Sequence, residues 1–349
     1  MNLIFPAIIS FILTAISVPF TITLAKKAKL IDNPKIRPHP AHTQQRIVPR
    51  AGGLAIFLGL AITTLLFMPL GKTVTAILIS TLLLLIVGLF DDKYHNFSPY
   101  LRLLAQFIAA AIIVLGGVSV KFITNPFGGI IFFESIPLLP QILTLIWIVW
   151  VMNMINWSKG VDGQMPGIIT VAAIILGLLS LKLNISNDPG QIMVAKLSFI
   201  TAASAFAFLL FNWHPAKIFP GFSGSAVSGF MIAVLAILSG GKLATAGLVL
   251  LIPATDFAYT FFRRILEGKS PVWGDRGHLH HKMLKAGLSH QQIALFYILG
   301  SAILGAAALS LSSQGKLFAA ILVGIVIFGG ILWLHFFGEL QKRPAPDNG

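Results

Sequence analysis

Eleven apolar stretches, each with at most one charged side chain, run through this chain at roughly residues 3-25, 53-70, 73-90, 99-118, 139-157, 166-183, 192-212, 224-240, 243-262, 292-312 and 317-338. About 20 such residues in a helix cross the hydrocarbon of a bilayer. Inside lipid each backbone amide must be satisfied within its own segment, which selects helices. A soluble fold cannot hide this much apolar surface: the chain is 56% hydrophobic and 10% charged, against roughly 25% charged residues in soluble domains. The sequence therefore predicts an all-α, polytopic integral membrane protein with about eleven transmembrane helices. It forms one transmembrane domain over residues 1-339, and the polar stretch 340-349 is expected to be a disordered tail.

Alternation of the spans places segments 26-52, 91-98, 158-165, 213-223, 263-291 and the tail on one side. With Arg102 counted at a helix mouth, that side holds all but six of the 25 lysines and arginines, the six being Lys72, Lys121, Lys182, Lys196, Lys242 and Lys316. Positive loops stay in the cytoplasm. The chain is thus expected in the plasma (inner) membrane, its N-terminus outside and its C-terminus and motif-bearing loops cytoplasmic. Residues 3-25 follow no basic region and precede no small-residue cleavage site, so they read as a span rather than a signal peptide. The net charge of +14 comes from residues that flank spans and form no separate basic domain, which argues against nucleic acid as a partner. The absence of cysteine rules out disulfides and thiolate metal sites. The one long outer segment, 119-138, has β-rich runs on both sides of Asn125-Pro126-Phe127-Gly128-Gly129 and predicts a small hairpin.

Only eleven Asp and Glu exist, and the motifs use them sparingly. Asp91 and Asp92 end the third span, where two like charges meet the negative end of a helix dipole. They are either a solvated helix end or a pair offset by Mg²⁺ or a proton-transfer role. Residues 153-163 read NMINWSKGVDG. Asn153 and Asn156 share a helix face and suit either interhelical hydrogen bonding or recognition of a uracil, a sugar or a metal-bound phosphate. Asp162 lies in a Gly-flanked loop. In FNWHPAKIFPGFSGS, residues 211-225, the Gly221, Ser223, Gly224 and Ser225 segment precedes a helix, which is either a phosphate-binding N-terminus or a plain re-entry turn. In KSPVWGDRGHLHHKML, residues 269-284, Asp275, Arg276, His278, His280 and His281 cluster. Zinc binding lacks a clear fourth ligand there, phosphate recognition suits the positive surroundings, and solvated loop histidines are the third reading. Asp256 lies inside the ninth span, which points to function or a buried partner.

Taken in order, PRAGGLAIFLG (49-59), GLFDDK (88-93), NMINWSKGVDG, FNWHPAKIFPGFSGS and DRGHLHHKML resemble the polyprenyl-phosphate N-acetylhexosamine-1-phosphate transferases, glycosyltransferase family 4, along most of the chain. The histidine motif and the eleven spans resemble the branch that carries GlcNAc 1-phosphate to undecaprenyl phosphate more than the ten-span phospho-MurNAc-pentapeptide transferases. The resemblance implies that a polyprenyl phosphate attacks the β-phosphorus of a UDP-N-acetylhexosamine, UMP leaves and a lipid-linked sugar pyrophosphate remains. It implies Mg²⁺, with Mn²⁺ as a substitute. By matching position it implies catalytic roles for Asp91, Asp92, His278, His280 and His281. Asp92 and Asn156 would ligate the metal. Arg102, Asn153, Asn156, Lys159, Asp162, Asn212, Ser223, Ser225 and Arg276 would bind the substrates, which meet at the lipid bilayer surface. The oligomeric state stays open, a homodimer being one option.

Two positions depart from the family pattern. Phe222 stands where the family usually has a magnesium-binding Asp, and a phenyl ring cannot ligate a hard cation. Lys159 stands where bacterial members often have Asp, and offers a point charge to phosphate. Three outcomes follow: an enzyme that survives with Asp92 or Asp162, an impaired member that still binds nucleotide or lipid, or an altered sequence. A secondary transporter is a reading from another class, but the chain shows only Asp256 at depth and no repeat.

Overall fold

The computed structural model describes residues 2-34, 46-94, 97-183, 188-240, 242-270 and 277-340. Its helices are α1 (Ile4–Lys27), α2 (Gly52–Phe67), α3 (Lys72–Lys93), α4 (Pro99–Leu115), α5 (Leu139–Trp157), α6 (Gln164–Leu183), α7 (Pro189–Asn212), α8 (Gly221–Leu238), α9 (Leu243–Val249), α10 (Leu251–Leu266), α11 (Leu279–Lys285), α12 (His290–Ser310) and α13 (Ser313–Leu340). Every apolar stretch read from the sequence is helical. Among the described residues eight helices are long and apolar enough to cross a bilayer, and nine if the bent α9–α10 pair is one span. The chain is an integral membrane protein.

Three of the eleven spans differ from the expected straight crossings. α2 and α4 have 16 and 17 residues, about 24 to 26 Å of helix. Pro69 follows the end of α2, and Gly117, at φ +90°, follows the end of α4; both residues stop helices. The ninth span, expected over 243-262, breaks: α9 and α10 meet at 82°. Pro253 sits in the first turn of α10 and has no N–H with which to continue the α9 ladder.

α8 is the axis of the bundle. It packs against α2, α3, α5, α6 and α7, and nearly all of it is buried. Its sequence, GFSGSAVSGFMIAVLAIL, is apolar on every face and rich in small residues, as a central membrane helix requires. At the site end a Cβ on Gly88 of α3 would overlap the backbone of Ser223, so the two helices touch backbone to backbone.

Two small antiparallel sheets decorate the helices. β1 (Ile31–Asp32) pairs with β2 (Val48–Pro49), with Ile31 opposite Pro49. Nothing in the residue pattern predicts it. It continues into a parallel bridge between Arg50 and Phe219, which fixes Arg50 beside the start of α8. The expected outer hairpin is present: β3 (Phe122–Thr124) pairs with β4 (Ile130–Phe132), and Gly128 and Gly129 take positive φ in the turn. Of the predicted tail, residues 341-349 lie outside the described residues.

Candidate functional site

The carboxylate of Asp92, at the C-terminal end of α3, points at the N-terminus of α8. Its Oδ1 accepts from Phe222 N at 2.7 Å and Arg50 Nε at 3.1 Å. Its Oδ2 accepts from Ser223 Oγ at 2.6 Å and Ser223 N at 3.2 Å. Gly221 makes this approach possible: its φ is +68°, and a Cβ there would overlap the Asp92 carboxylate. The amides that open α8, read from sequence either as a phosphate-binding N-terminus or as a plain re-entry turn, hold Asp92. The unfavourable dipole at the end of α3 is offset by the favourable one at the start of α8 and by Arg50. Ser223 is fully buried in this arrangement.

Beside it lies a cluster of cations. Asp91 faces Arg102 Nε at 3.4 Å and Arg50 Nη2 at 3.8 Å. Lys159 Nζ donates to Asn156 Oδ1 at 2.6 Å, Gly221 O at 3.1 Å and Ser225 Oγ at 3.4 Å. Ser225 Oγ also donates to Asn156 Oδ1 at 2.9 Å. The Phe222 ring lies beneath two cations, with Arg102 Cζ at 5.6 Å and Lys159 Nζ at 5.9 Å from its centroid. Burial first, and then the charge of Arg50, push Lys159 down to about 7, against the pull of Asp92 and Asp91. Burial lowers Arg50 too, but Asp92, Asp32 and Asp91 outweigh it and leave Arg50 raised above its usual range.

Three residues further along the same loop, Asp162 opens a second cluster. Its Oδ2 accepts from His214 Nδ1 at 2.8 Å, Arg46 Nη2 at 2.9 Å and Ala216 N at 3.0 Å. Asn212 Oδ1 accepts from Gly163 N at 3.0 Å, and Asn212 Nδ2 donates to Ile218 O at 2.8 Å. The His214 and His290 rings stack at 4.7 Å. Asn153 turns away from both clusters: its Nδ2 donates to Gln106 Oε1 at 2.7 Å, linking α5 to α4 as its interhelical reading requires.

The histidines pack against the loop that carries Lys159 and Asp162. His278 Nδ1 lies 3.2 Å from Asp256 Oδ2, and Asp256 Oδ1 accepts from Leu279 N at 2.7 Å. Asp256 thus docks the start of α11, the buried-partner reading of this residue. The His280 ring packs over Gly160, where a Cβ would overlap it, and stacks on His278 at 5.4 Å. Burial, then His281, His278 and His290, hold His280 well below the usual imidazole range, so it is a neutral hydrogen-bonding group at pH 7 rather than a cation. Its Nδ1 is buried with no hydrogen-bond partner among the described residues. Asp275 and Arg276 lie outside the described residues.

Asp91, Asp92, Arg102, Asn156, Lys159, Asp162, Asn212, Ser223, Ser225, His278, His280 and His281 thus converge from five distant segments. Sequence reasoning does not single out Arg46, Arg50, His214 or His290. Arg50 lies inside PRAGG and His214 inside FNWHPAKIFPGFSGS, the available signals; Arg46 and His290 carry none.

A resident magnesium ion needs about six oxygen ligands in a tight octahedron. The described residues do not fit that demand, nor that of manganese. At the centre stand a phenyl ring and an ammonium group. Both Asp92 oxygens are engaged, Asn156 Oδ1 is taken by Lys159 and Ser225, and Asp91 faces two guanidinium groups. The only set of three His or carboxylate ligands that converges among the described residues is Asp162, His214 and His290. There Asp162 Oδ2 already carries a guanidinium. The zinc reading of His278, His280 and His281 finds no such convergence among these residues.

Fold and site together define a polytopic membrane protein that gathers a cation-lined centre and an adjacent amide- and carboxylate-lined cluster at one end of its bundle. The family model for glycosyl transferase family 4 matches residues 74–240. The chain is 32% identical over 304 residues to a probable undecaprenyl-phosphate N-acetylglucosaminyl 1-phosphate transferase of Bacillus subtilis, across 84% of this chain and 80% of that one. It is 29% identical over 329 residues to a decaprenyl-phosphate N-acetylglucosaminephosphotransferase of Mycolicibacterium smegmatis, across 85% and 79%. It is 26% identical over 345 residues to the undecaprenyl-phosphate alpha-N-acetylglucosaminyl 1-phosphate transferase of Escherichia coli, across 95% and 89%. The chain belongs to glycosyl transferase family 4.

Proposed function

We propose that this chain transfers N-acetylhexosamine 1-phosphate, with GlcNAc as the sugar, from a UDP-sugar to undecaprenyl or another polyprenyl phosphate. The names of its relatives support the substrate pair. The observation that carries the reading is the adjacency of two clusters on one loop: Lys159 faces the cations, and Asp162, three residues on, borders Asn212. A nucleoside diphosphate sugar has the same two parts, a polyanion and a hydrogen-bonding base.

In this reaction an oxygen of the lipid phosphate forms a bond to the β-phosphorus. The bond from that phosphorus to the bridging oxygen breaks, and UMP leaves with the electron pair. A phosphate monoester is already largely ionised at pH 7, its second pKa being about 6. Positioning and charge neutralisation therefore dominate the barrier. Arg102 and Lys159 face the phosphates. Asp91 and Asp92 act by aiming Arg102 and Arg50 and by holding the start of α8. Asp162 and Asn212 border the uridine, and neutral His280 donates a ring N–H to the donor sugar phosphate with Arg276, His278 and His281 around it. The site faces the cytoplasm, where the UDP-sugar is.

A second reading, a nucleotide-sugar or lipid-phosphate binder without turnover, is favoured by Phe222 and Lys159 at the centre. Release of UMP by purified protein separates the two. Transfer predicts UMP formation that requires both UDP-GlcNAc and polyprenyl phosphate. Thermal stabilisation by UDP-GlcNAc with no UMP above background selects the binder and rejects transfer.

A further inference from the structure

We propose that the Lys159 ammonium takes the place of a divalent cation at the centre of this site, so that the chain binds the pyrophosphate of its nucleotide sugar without a metal ion. This inference rests on the reading that the site takes a nucleoside diphosphate sugar.

Lys159 Nζ sits among Asn156 Oδ1, Gly221 O and Ser225 Oγ, all neutral oxygens. It has captured the one amide oxygen that a metal at this point would need. The 3.4 Å contact to Ser225 is the weakest of the three. A phosphate oxygen can take it over without disturbing the other two, and an ammonium group acts on phosphate as a point charge.

Arg50 and Arg102 are full cations at the centre and Lys159, held at about 7, is one in part at pH 7, while Asp91 and Asp92 face them and Asp32 acts on Arg50. Both carboxylates are engaged by the arginines. A dication would find no free carboxylate oxygen pair there and would have to displace Lys159 from Asn156. An anion instead pairs the Lys159 amine, which is partly buried and has no carboxylate of its own within hydrogen-bond reach among the described residues.

Phe222 lies under the same cations. Its ring lies within the roughly 6 Å reach of cation–π attraction for both Arg102 and Lys159. An acidic side chain at this point would bind those cations and consume the charge meant for the ligand. A phenyl ring steadies them and leaves their charge available. Lys159 and Phe222 are thus one arrangement: the first supplies the cation, the second keeps it from being neutralised within the protein.

The test is equilibrium binding of UDP-GlcNAc and of UDP to the full-length protein in detergent, in EDTA and then in millimolar Mg²⁺. The wild-type affinities are expected to agree within about two-fold between the two buffers, well short of a ten-fold step. Lys159→Met is expected to weaken binding in EDTA by about 10-fold or more. The double variant Lys159→Asp with Phe222→Asp is expected to bind about 10-fold or more tightly in Mg²⁺ than in EDTA, since two carboxylates then replace the built-in cation. Wild-type binding that falls about 10-fold or more in EDTA overturns the inference and leaves the proposed function standing. Absence of binding in both buffers overturns the proposed function and this inference with it. The wild-type comparison uses no variant, so it decides the matter even where a substitution prevents folding.

Discussion

Asp92 joins α3, α8 and the Arg50 strand through one carboxylate, and it is fully buried. Removing one partner of a buried ion pair strands the other. Asp92→Asn is expected to destabilise the protein by about 3 to 5 kcal/mol, read as a lowered unfolding midpoint in detergent. An unchanged midpoint would show that the pair is not formed. Gly160 predicts the opposite kind of effect. A methyl group there displaces the His280 ring from the loop that carries Lys159 and Asp162. Gly160→Ala is expected to cut UMP formation roughly 10- to 100-fold, as misplaced reacting groups do, a larger loss than the modest drop in melting temperature from overpacking explains. Equal activity would place His280 outside the reaction. At this scale the sequence is half legible. The residue types at the site stand out because charged and amide groups are rare in apolar surroundings. Their partners do not: Arg50 meets Asp92 from 42 positions away and Arg46 meets Asp162 from 116 away, and no periodicity encodes such pairings.

Among the elements, helices are legible wherever hydropathy alone sets their length, as in α1, α3 and α8. The break between α9 and α10 is not, because an apolar run looks the same whether or not it bends. The composition of the Gly221–Ser225 turn fits either a ligand cradle or a plain re-entry turn. The turn is instead the landing site of Asp92, since a helix N-terminus accepts a protein carboxylate as readily as a phosphate. α11 is a short helix moored by Asp256 through Leu279 N and His278. Asp256→Ala is expected to raise hydrogen exchange across Leu279–Lys285 by roughly 10-fold or more while α8 stays protected. Matching protection in variant and wild type would mean that α11 is held by something else.

The whole molecule turns on sidedness. The outer hairpin and the cation-rich loops leave the bundle at points that the charge asymmetry assigns to opposite faces of the membrane. The chain has no cysteine, so single substitutions report cleanly. Phe127→Cys, at the exposed hairpin tip, is expected to react with a membrane-impermeant maleimide from outside intact cells, and Lys285→Cys only in inverted vesicles. Labelling of both from one side would overturn the orientation. The placement of the polar motifs in alternate loops is legible from hydropathy alone. How closely those motifs meet is not, since it depends on the small-residue packing of α8 against α3. The central claim is that residues from separate helices build one nucleotide-sugar site. The most direct measurement is UDP-GlcNAc affinity for Arg102→Gln, Lys159→Met and Asn212→Ala, drawn from α4, the loop after α5 and the end of α7. Each is expected to weaken binding by about 10-fold or more while the protein stays folded; three folded variants that bind as tightly as the wild type would contradict the account.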